Sequence, residues 1–301
     1  MIEYGVGIIG VNHYLPEMIQ TNEELCEQIE ELTPEWILEK TGIKRRYHIS
    51  GNETASSMAL NVSKKLLKEK KIKATDIGLI IVASFSQDYL FPPLSAKIHN
   101  SIGATKNCQI IDINTNCVGL VTGLTIAAER MLSNSNINYS LIIGVEVLST
   151  FTNKKDKETA IYFSDGASAI LLGKTPKGYG YLNSAFATDS SNYESVRMRG
   201  GGSVYPVNKE NIEKKAKFIE QNGLATWKQA ITNLPFVLKK LKIPRDNTYT
   251  NVEEIGNTGS ASIGIALSEA LSKGLIHSND LLILTGVGAG YNFGANLWKM
   301  Q

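Results

Sequence analysis

The 301-residue sequence predicts an α/β fold in two similar halves, and three observations carry that reading. Short Val/Ile/Leu runs alternate with helical patterns along the chain. Those runs are apolar throughout instead of alternating with polar residues, which implies a sheet covered on both faces. One supersecondary unit also occurs twice, as "CVGLVTGLTIAAERMLSNSNINYSLIIGV" and "NTGSASIGIALSEALSKGLIHSNDLLILTGV".

Taken in order, "YGVGIIGV" reads as the first strand, "TNEELCEQIEELT" and "SSMALNVSKKLLKEKK" as amphipathic helices, and "IGLIIVASF" as a buried strand. "NCQIIDIN" repeats the strand signal, a helix runs from Cys117 to about Ser133, and "YSLIIGVEVL" closes the round. In the repeated unit each copy has a polar lead-in, a helix of small residues, a Ser/Asn turn and a strand ending in Gly-Val. Cys117 precedes Gly144 by 27 residues and Asn257 precedes Gly286 by 29. Two copies imply pseudo-twofold symmetry, with halves at 1–175 and 176–301 that meet between Gly173 and Gly178. Cys117 and Asn257 then occupy equivalent places at helix starts. Ligands on such sheets gather at the carboxyl ends of strands, so both residues can face one site.

Composition narrows the function classes. Hydrophobic residues are 43% of the chain and charged residues 20%, the balance of an ordinary globular protein. A net charge of +2 does not announce nucleic acid or an anionic membrane. No stretch approaches the roughly 20 apolar residues of a membrane span, and the opening apolar run is too short for a signal peptide. Three cysteines without tight spacing argue against a disulfide framework and against structural zinc. The cytoplasm is the expected compartment, where free thiols can react.

Cys117 is one such thiol. Amide hydrogens and the helix dipole at a helix start favour an anion, so the thiol there should ionise more easily. A buried packing cysteine is the commoner fate of a free Cys, but the helix start, with Gly119 and Gly123 behind it, favours a nucleophile. Cys26, inside an amphipathic helix, and Cys108, before a strand, read as packing residues. Asn257 in "GNTGSAS" reads first as an N-cap, with an amide donor aimed at the Cys117 sulfur or a substrate carbonyl as the functional alternative. "TGVGAGYNFG" at 285–294 is followed by a strand, not by the helix a dinucleotide loop must open. Its glycines instead let backbone amides approach a ligand, as an oxyanion hole requires. His13 and His48 read as loop residues, His99 as helical and His277 as part of a turn, all in solvated or capping roles. "KTGIKRR" at 40–46 reads as a solvated loop, or alternatively as a contact for cofactor phosphates.

Cys117, "GNTGSAS", "FSDGASAILLG" and the terminal Gly-rich strand, joined by "YLPEMIQTNEEL", "PEWILEKTGIKRRYH" and "FPPLSAKIHNSIGA", make the whole chain resemble the thiolase superfamily. Within it, the likeness is to the β-ketoacyl-acyl-carrier-protein synthase III group. The resemblance implies a thiolase fold of two βαβαβαββ halves in five αβαβα layers, and a homodimer that condenses acyl-CoA with malonyl-acyl carrier protein. It implies no permanently bound cofactor and no metal, with the coenzyme A thioester as substrate. Cys117 matches the nucleophile that takes the acyl group as a thioester. Its own amide and that of Ala289 match the oxyanion hole, and Asn257 matches the residue that supports malonyl decarboxylation. Trp36 resembles the residue stacked on the CoA adenine, and Trp227 stands where the family often has Phe. Lys40 and Lys157 fall where arginines often contact CoA, and lysine lacks their planar fork. Phe91 resembles the residue that crosses the dimer interface to close the partner's acyl pocket.

Two departures stand out. The family's Pro-His-Gln-Ala-Asn motif is missing: "ITNLPFVLKKLKIPRDNTYTN" runs where a histidine-bearing strand and most of a helix should lie, around Pro235 and Phe236. Either the protein has lost that segment or the sequence omits a stretch the protein carries. Removing a strand and a helix from a sheet core exposes apolar faces, which favours omission. The backbone is then expected to be interrupted between Pro235 and Phe236, beyond the roughly 3.8 Å of a trans peptide. The second departure is Asn116 before the nucleophile and Val118 after it, where housekeeping members carry smaller residues, and this points to a specialised pathway. If the histidine is absent, two alternatives to condensation gain weight: acyl transfer from CoA without carbon–carbon bond formation, and a catalytically idle partner subunit.

Overall fold

The computed structural model describes residues 3–213, 216–223 and 247–301. Strands β1 (Tyr4–Tyr14), β2 (Met18–Thr21), β3 (Arg45–His48), β4 (Ile77–Ala83), β5 (Gln109–Ile113), β6 (Tyr139–Val147) and β7 (Asp165–Pro176) belong to the first half. Helices α1 (Asn22–Cys26), α2 (Pro34–Thr41), α3 (Ala55–Lys70), α4 (Leu94–Ile102) and α5 (Gly119–Ser133) separate them. The second half contributes β8 (Gly180–Thr188), β9 (Val196–Met198), β10 (Ile219–Gln221), β11 (Leu281–Gly288) and β12 (Asn292–Lys299). Its helices are α6 (Lys209–Glu213), α7 (Val252–Ile255) and α8 (Ser262–Ser272).

The larger sheet has the order β1-β7-β6-β4-β5, with β4 parallel to both β5 and β6 and β7 antiparallel to its neighbours. Period-two alternation sends Ile80, Val82, Ile143 and Leu171 to the face covered by α3 and α4. Leu79, Ile81, Ile142 and Ile170 go to the opposite face, against α5. Both faces are covered, which is why these strands are largely apolar, with Ser140, Glu146, Asp165 and Ser168 as buried polar exceptions. The same α5 cluster takes in Leu267 of α8, Leu284 of β11 and Trp298 of β12. The described residues thus stack as helices, sheet, helices, sheet. The order β8-β12-β11 in the smaller sheet repeats β1-β7-β6, and α8 stands where α5 stands in the first half. Among the described residues, the second half has no counterpart of β4 and β5. Trp227 and the Pro235–Phe236 junction lie outside the described residues.

Several local expectations change. The first amphipathic helix ends at Cys26: its Thr21 capping box fixes the start, but Glu27, Glu30 and Glu31 put negative charge at the end where the helix dipole opposes it. His13 and His48 lie in strands β1 and β3, not in loops. The basic run is not uniformly solvated either. Lys44 and Arg45 pair with Glu254, while Arg46 is fully buried.

Candidate active site

The carboxyl ends of the parallel strands converge on one place. β5 runs into a 3-10 turn, Asn116–Val118, which carries Cys117 and leads directly into α5. Ser84, Phe85 and Ser86 follow β4, and Glu146 is the penultimate residue of β6. From the second half, a matching turn, Gly259–Ala261, packs against the Cys117 turn. Ser260 Oγ donates across the halves to the Ala83 carbonyl at 2.8 Å and to Glu146 Oε1 at 2.7 Å.

The third side is the turn between β11 and β12. Gly288 lies so close to the Cys117 turn that a Cβ there would meet the Thr115 carbonyl oxygen at 2.7 Å and the Cys117 nitrogen at 3.3 Å. Only glycine allows that approach. Ala289 follows at the tip, its carbonyl accepting from Asn116 Nδ2 at 3.0 Å, and its N–H has no partner among the described residues. The structure therefore brings Cys117, Ala289 and the 257–261 turn together, as the sequence suggested.

The expectation about the thiol's acidity is reversed. Cys117 as a residue keeps partial solvent exposure, yet protein surrounds its sulfur, and burial, then the Glu146 carboxyl, push its pKa up to about 12. Its own amide favours the thiolate but does not offset the desolvation. Cys108, also buried, is pushed up to about 11 and packs beside α4, as expected of a core residue. Asn257 is not the N-cap it was expected to be: Thr258 precedes the Gly259–Ala261 turn and Ala261 precedes α8. Its Oδ1 instead accepts from Gly259 N two residues on, at 2.9 Å, and Nδ2 has no partner among the described residues, which leaves it available as a donor.

Glu146 was not singled out by sequence reading, although a lone carboxylate in the apolar run "YSLIIGVEVL" is a usable signal. It is fully buried, accepting from Ser86 Oγ at 2.5 Å, Ser260 Oγ at 2.7 Å and Phe85 N at 3.3 Å. Burial raises its pKa to about 8, against the pull of those donors. Arg46 was also misread. Its Nε and Nη2 donate to the Ile161 carbonyl at 3.0 and 2.6 Å and Nη1 to Asn22 Oδ1 at 2.9 Å, with no carboxylate partner among the described residues.

Of the residues matched to coenzyme A, Trp36, Lys40 and Lys157 share one outer region. Trp36 is 41% exposed on α2, and the buried side of that helix, Ile37, packs with Ala160 and Ile161 just past Lys157. Lys40 is exposed in the last turn of α2. Lys157 is bound to Glu31 at 2.5 Å, so a phosphate would compete with that carboxylate. Phe91 is 84% exposed, in the loop before α4. That helix is tied to the edge strand β5 by Leu94 N and Ser95 N donating to Asp112 at 2.6 and 2.9 Å. The four histidines sit elsewhere: His13 at Ser268 Oγ, His48 beside Asp165, His99 at the Thr105 carbonyl and His277 near Asp280. No group of three or more metal-ligating side chains occurs among the described residues. No helix among them is long and apolar enough to cross a membrane.

Comparison with known proteins agrees with this geometry. The family described as 3-oxoacyl-[acyl-carrier-protein (ACP)] synthase III matches residues 111–190, and the family of its C-terminal region matches residues 226–300. A β-ketoacyl-[acyl-carrier-protein] synthase III of Fusobacterium nucleatum is 32% identical, with 98% of each chain covered. One of Caldanaerobacter subterraneus is 32% identical, with 97% of each covered. In the first comparison about 295 of the 301 residues here spread over 325 aligned positions, so about 30 positions are filled by the relative alone. The crystal structure of the 3-oxoacyl-[acyl-carrier-protein] synthase III of Aquifex aeolicus is 26% identical and superposes with a TM-score of 0.86 over 98% of this chain and 100% of that one. With the thiolase fold in place and full-length relatives at this identity, the chain belongs to the β-ketoacyl-acyl-carrier-protein synthase III family.

Proposed function

We propose that this protein is an acyltransferase that takes an acyl group from coenzyme A onto Cys117 and passes it to malonyl-acyl carrier protein, giving a 3-oxoacyl product. The observation that carries the proposal is the seating of the Cys117 turn against Gly288 and Ala289 at the carboxyl ends of the parallel strands. In the acylation step, the Cys117 sulfur bonds to the thioester carbonyl carbon and the bond to the CoA sulfur breaks. The thiol proton leaves with the CoA thiol, so charge and atoms balance. The amides of Cys117 and Ala289 would hold the oxygen as it becomes anionic, in a site where such donors are worth far more than in water. Asn257 Nδ2 is the donor available for the enolate oxygen when malonate loses carbon dioxide.

Trp36 and Lys40 would receive the nucleotide end of the coenzyme, with Lys157 released from Glu31. A homodimer is part of the reading. The β5 edge needs a partner, and the adjacent Tyr89, Leu90 and Phe91 are 65, 74 and 84% exposed. A cytoplasmic setting, where three free thiols stay reduced, completes it.

One observation favours a second reading. None of the four histidines lies at Cys117 or Asn257, so acyl transfer without decarboxylation is the alternative. Acetyl-CoA and malonyl-acyl carrier protein labelled in the free carboxyl group separate the two. Condensation releases labelled carbon dioxide in step with the 3-oxoacyl product. Acylation of Cys117 with the label retained on the carrier protein would reject condensation and leave plain transfer.

A further inference from the structure

Asn116, immediately before the nucleophile, has a backbone φ of +52°, a left-handed conformation that asparagine tolerates better than other side chains bearing a Cβ. That conformation accompanies a hydrogen bond spanning the two halves, Nδ2 to the Ala289 carbonyl at 3.0 Å. On the other side of the same short loop, Gly288 rests on the Thr115 carbonyl and the Cys117 nitrogen. Ala289, whose N–H lies in the peptide group shared with Gly288, is therefore held on both sides. The preceding Gly288 is held by contact with the Cys117 turn, and the following peptide group, which carries the Ala289 carbonyl, is held by the Asn116 amide.

We infer that Asn116 is a positioning residue that holds the Ala289 amide in register with the Cys117 sulfur through its bond to the Ala289 carbonyl. This inference rests on the acyl-transfer reading above, since an oxyanion donor matters only if a carbonyl is attacked. A donor displaced by a fraction of an ångström no longer meets the developing charge, and misplacements of about 1 Å cost on the order of 100-fold in rate. A side chain that joined the halves for stability alone would not affect acylation selectively.

Two reactions of the same sulfur separate these roles. Acylation by acetyl-CoA passes through an oxyanion, whereas alkylation by iodoacetamide displaces iodide without one. Asn116→Gly keeps the left-handed backbone and removes the amide. Asn116→Asp keeps the side-chain shape and the backbone restriction but removes the donor. For each protein the rate of acylation at Cys117 is divided by its alkylation rate at the same pH, both read from the mass of the Cys117 peptide. This ratio cancels any change in thiolate fraction caused by the new charge. Both variants are expected to lower the ratio by roughly 10- to 100-fold. An unchanged ratio in Asn116→Gly would show that the backbone conformation alone matters, and acylation and alkylation falling together would show a collapsed turn. Either result overturns the inference. A wild-type protein that is alkylated but gains no acyl mass overturns the acyl-transfer reading as well, and is distinguished by needing no variant to see it.

Discussion

Glu146 is a fully buried carboxyl that, after burial itself, raises the pKa of the Cys117 thiol. Its own pKa, raised to about 8 by burial, lies above the ordinary 4.5, so between those values the folded protein binds a proton that the unfolded chain releases. Stability must then fall as pH rises through that window, with a limiting slope of about 1.4 kcal/mol per pH unit. Glu146→Gln, which cannot ionise, should flatten this part of the profile in urea unfolding from pH 5 to 8. An identical slope in the variant would contradict the assignment. Asp165, also raised by burial, and the buried His48, lowered by it, add their own dependences. Only the difference between wild type and variant isolates Glu146. The residue also illustrates what a sequence conceals. Cys117 announces itself by a thiol at a strand-to-helix junction, but its acidity is lowered first by burial and then by a carboxyl 29 positions downstream, and only the fold supplies either. Arg46 was hidden for the same reason: in "KTGIKRR" it looks like its neighbours Lys44 and Arg45, and only the Ile161 carbonyl and Asn22 explain its burial.

Among the elements, the strands and long helices were legible because one physical rule fixed each of them. Strands covered on both faces must be apolar throughout, and Thr54, capping α3 from Ser57 N, marks a helix start that the pattern already implied. Element ends were less legible. β1 continues through the polar "VNHY" because β7 supplies ladder partners as far as Tyr14, opposite Ala167. Packing between the repeated helices and the larger sheet is equally tight. In α8, a Cβ on Gly264 would lie 2.5 Å from Ser168 Cβ on β7 and 2.9 Å from Leu120 Cδ2 on α5. Alanine in a helix interior gains about 1 kcal/mol over glycine, whereas overpacking a core costs about 1–3 kcal/mol. Gly264→Ala should therefore destabilise by up to about 2 kcal/mol in urea unfolding. Adding Ser168→Gly, which vacates the contested space, should recover part of the loss relative to Ser168→Gly alone. A stabilised Gly264→Ala single variant would refute the packing argument.

At the scale of the molecule, duplication explains why the site lies where two halves meet. The turns at 116–118 and 259–261 are the same feature of two copies, and their packing brings Cys117 from one half beside the 257–261 segment of the other. The internal echo made the pairing of the turns readable in the sequence but misaligned it by three residues: Ser260, not Asn257, occupies the place of Cys117, second in its 3-10 turn and two residues before its helix. The shortfall expected around Pro235 and Phe236 lies outside the described residues. The first half has β4 and β5 beside β6, while the described part of the second half stops at β11, and the Fusobacterium relative fills about 30 aligned positions this chain lacks. What pattern could not supply was the height of the thiol's pKa or the bond from Asn116 to the Ala289 turn, since both arise from groups remote in sequence. The central claim is that Cys117 carries the acyl group. Its most direct test is peptide-resolved mass spectrometry of the protein after incubation with acetyl-CoA. One acetyl group on the peptide containing Cys117, removed by hydroxylamine and absent from Cys117→Ala, is the predicted result. Acetyl on Cys26 or Cys108 instead, or no acetyl on a protein whose Cys117 still alkylates, would contradict the account.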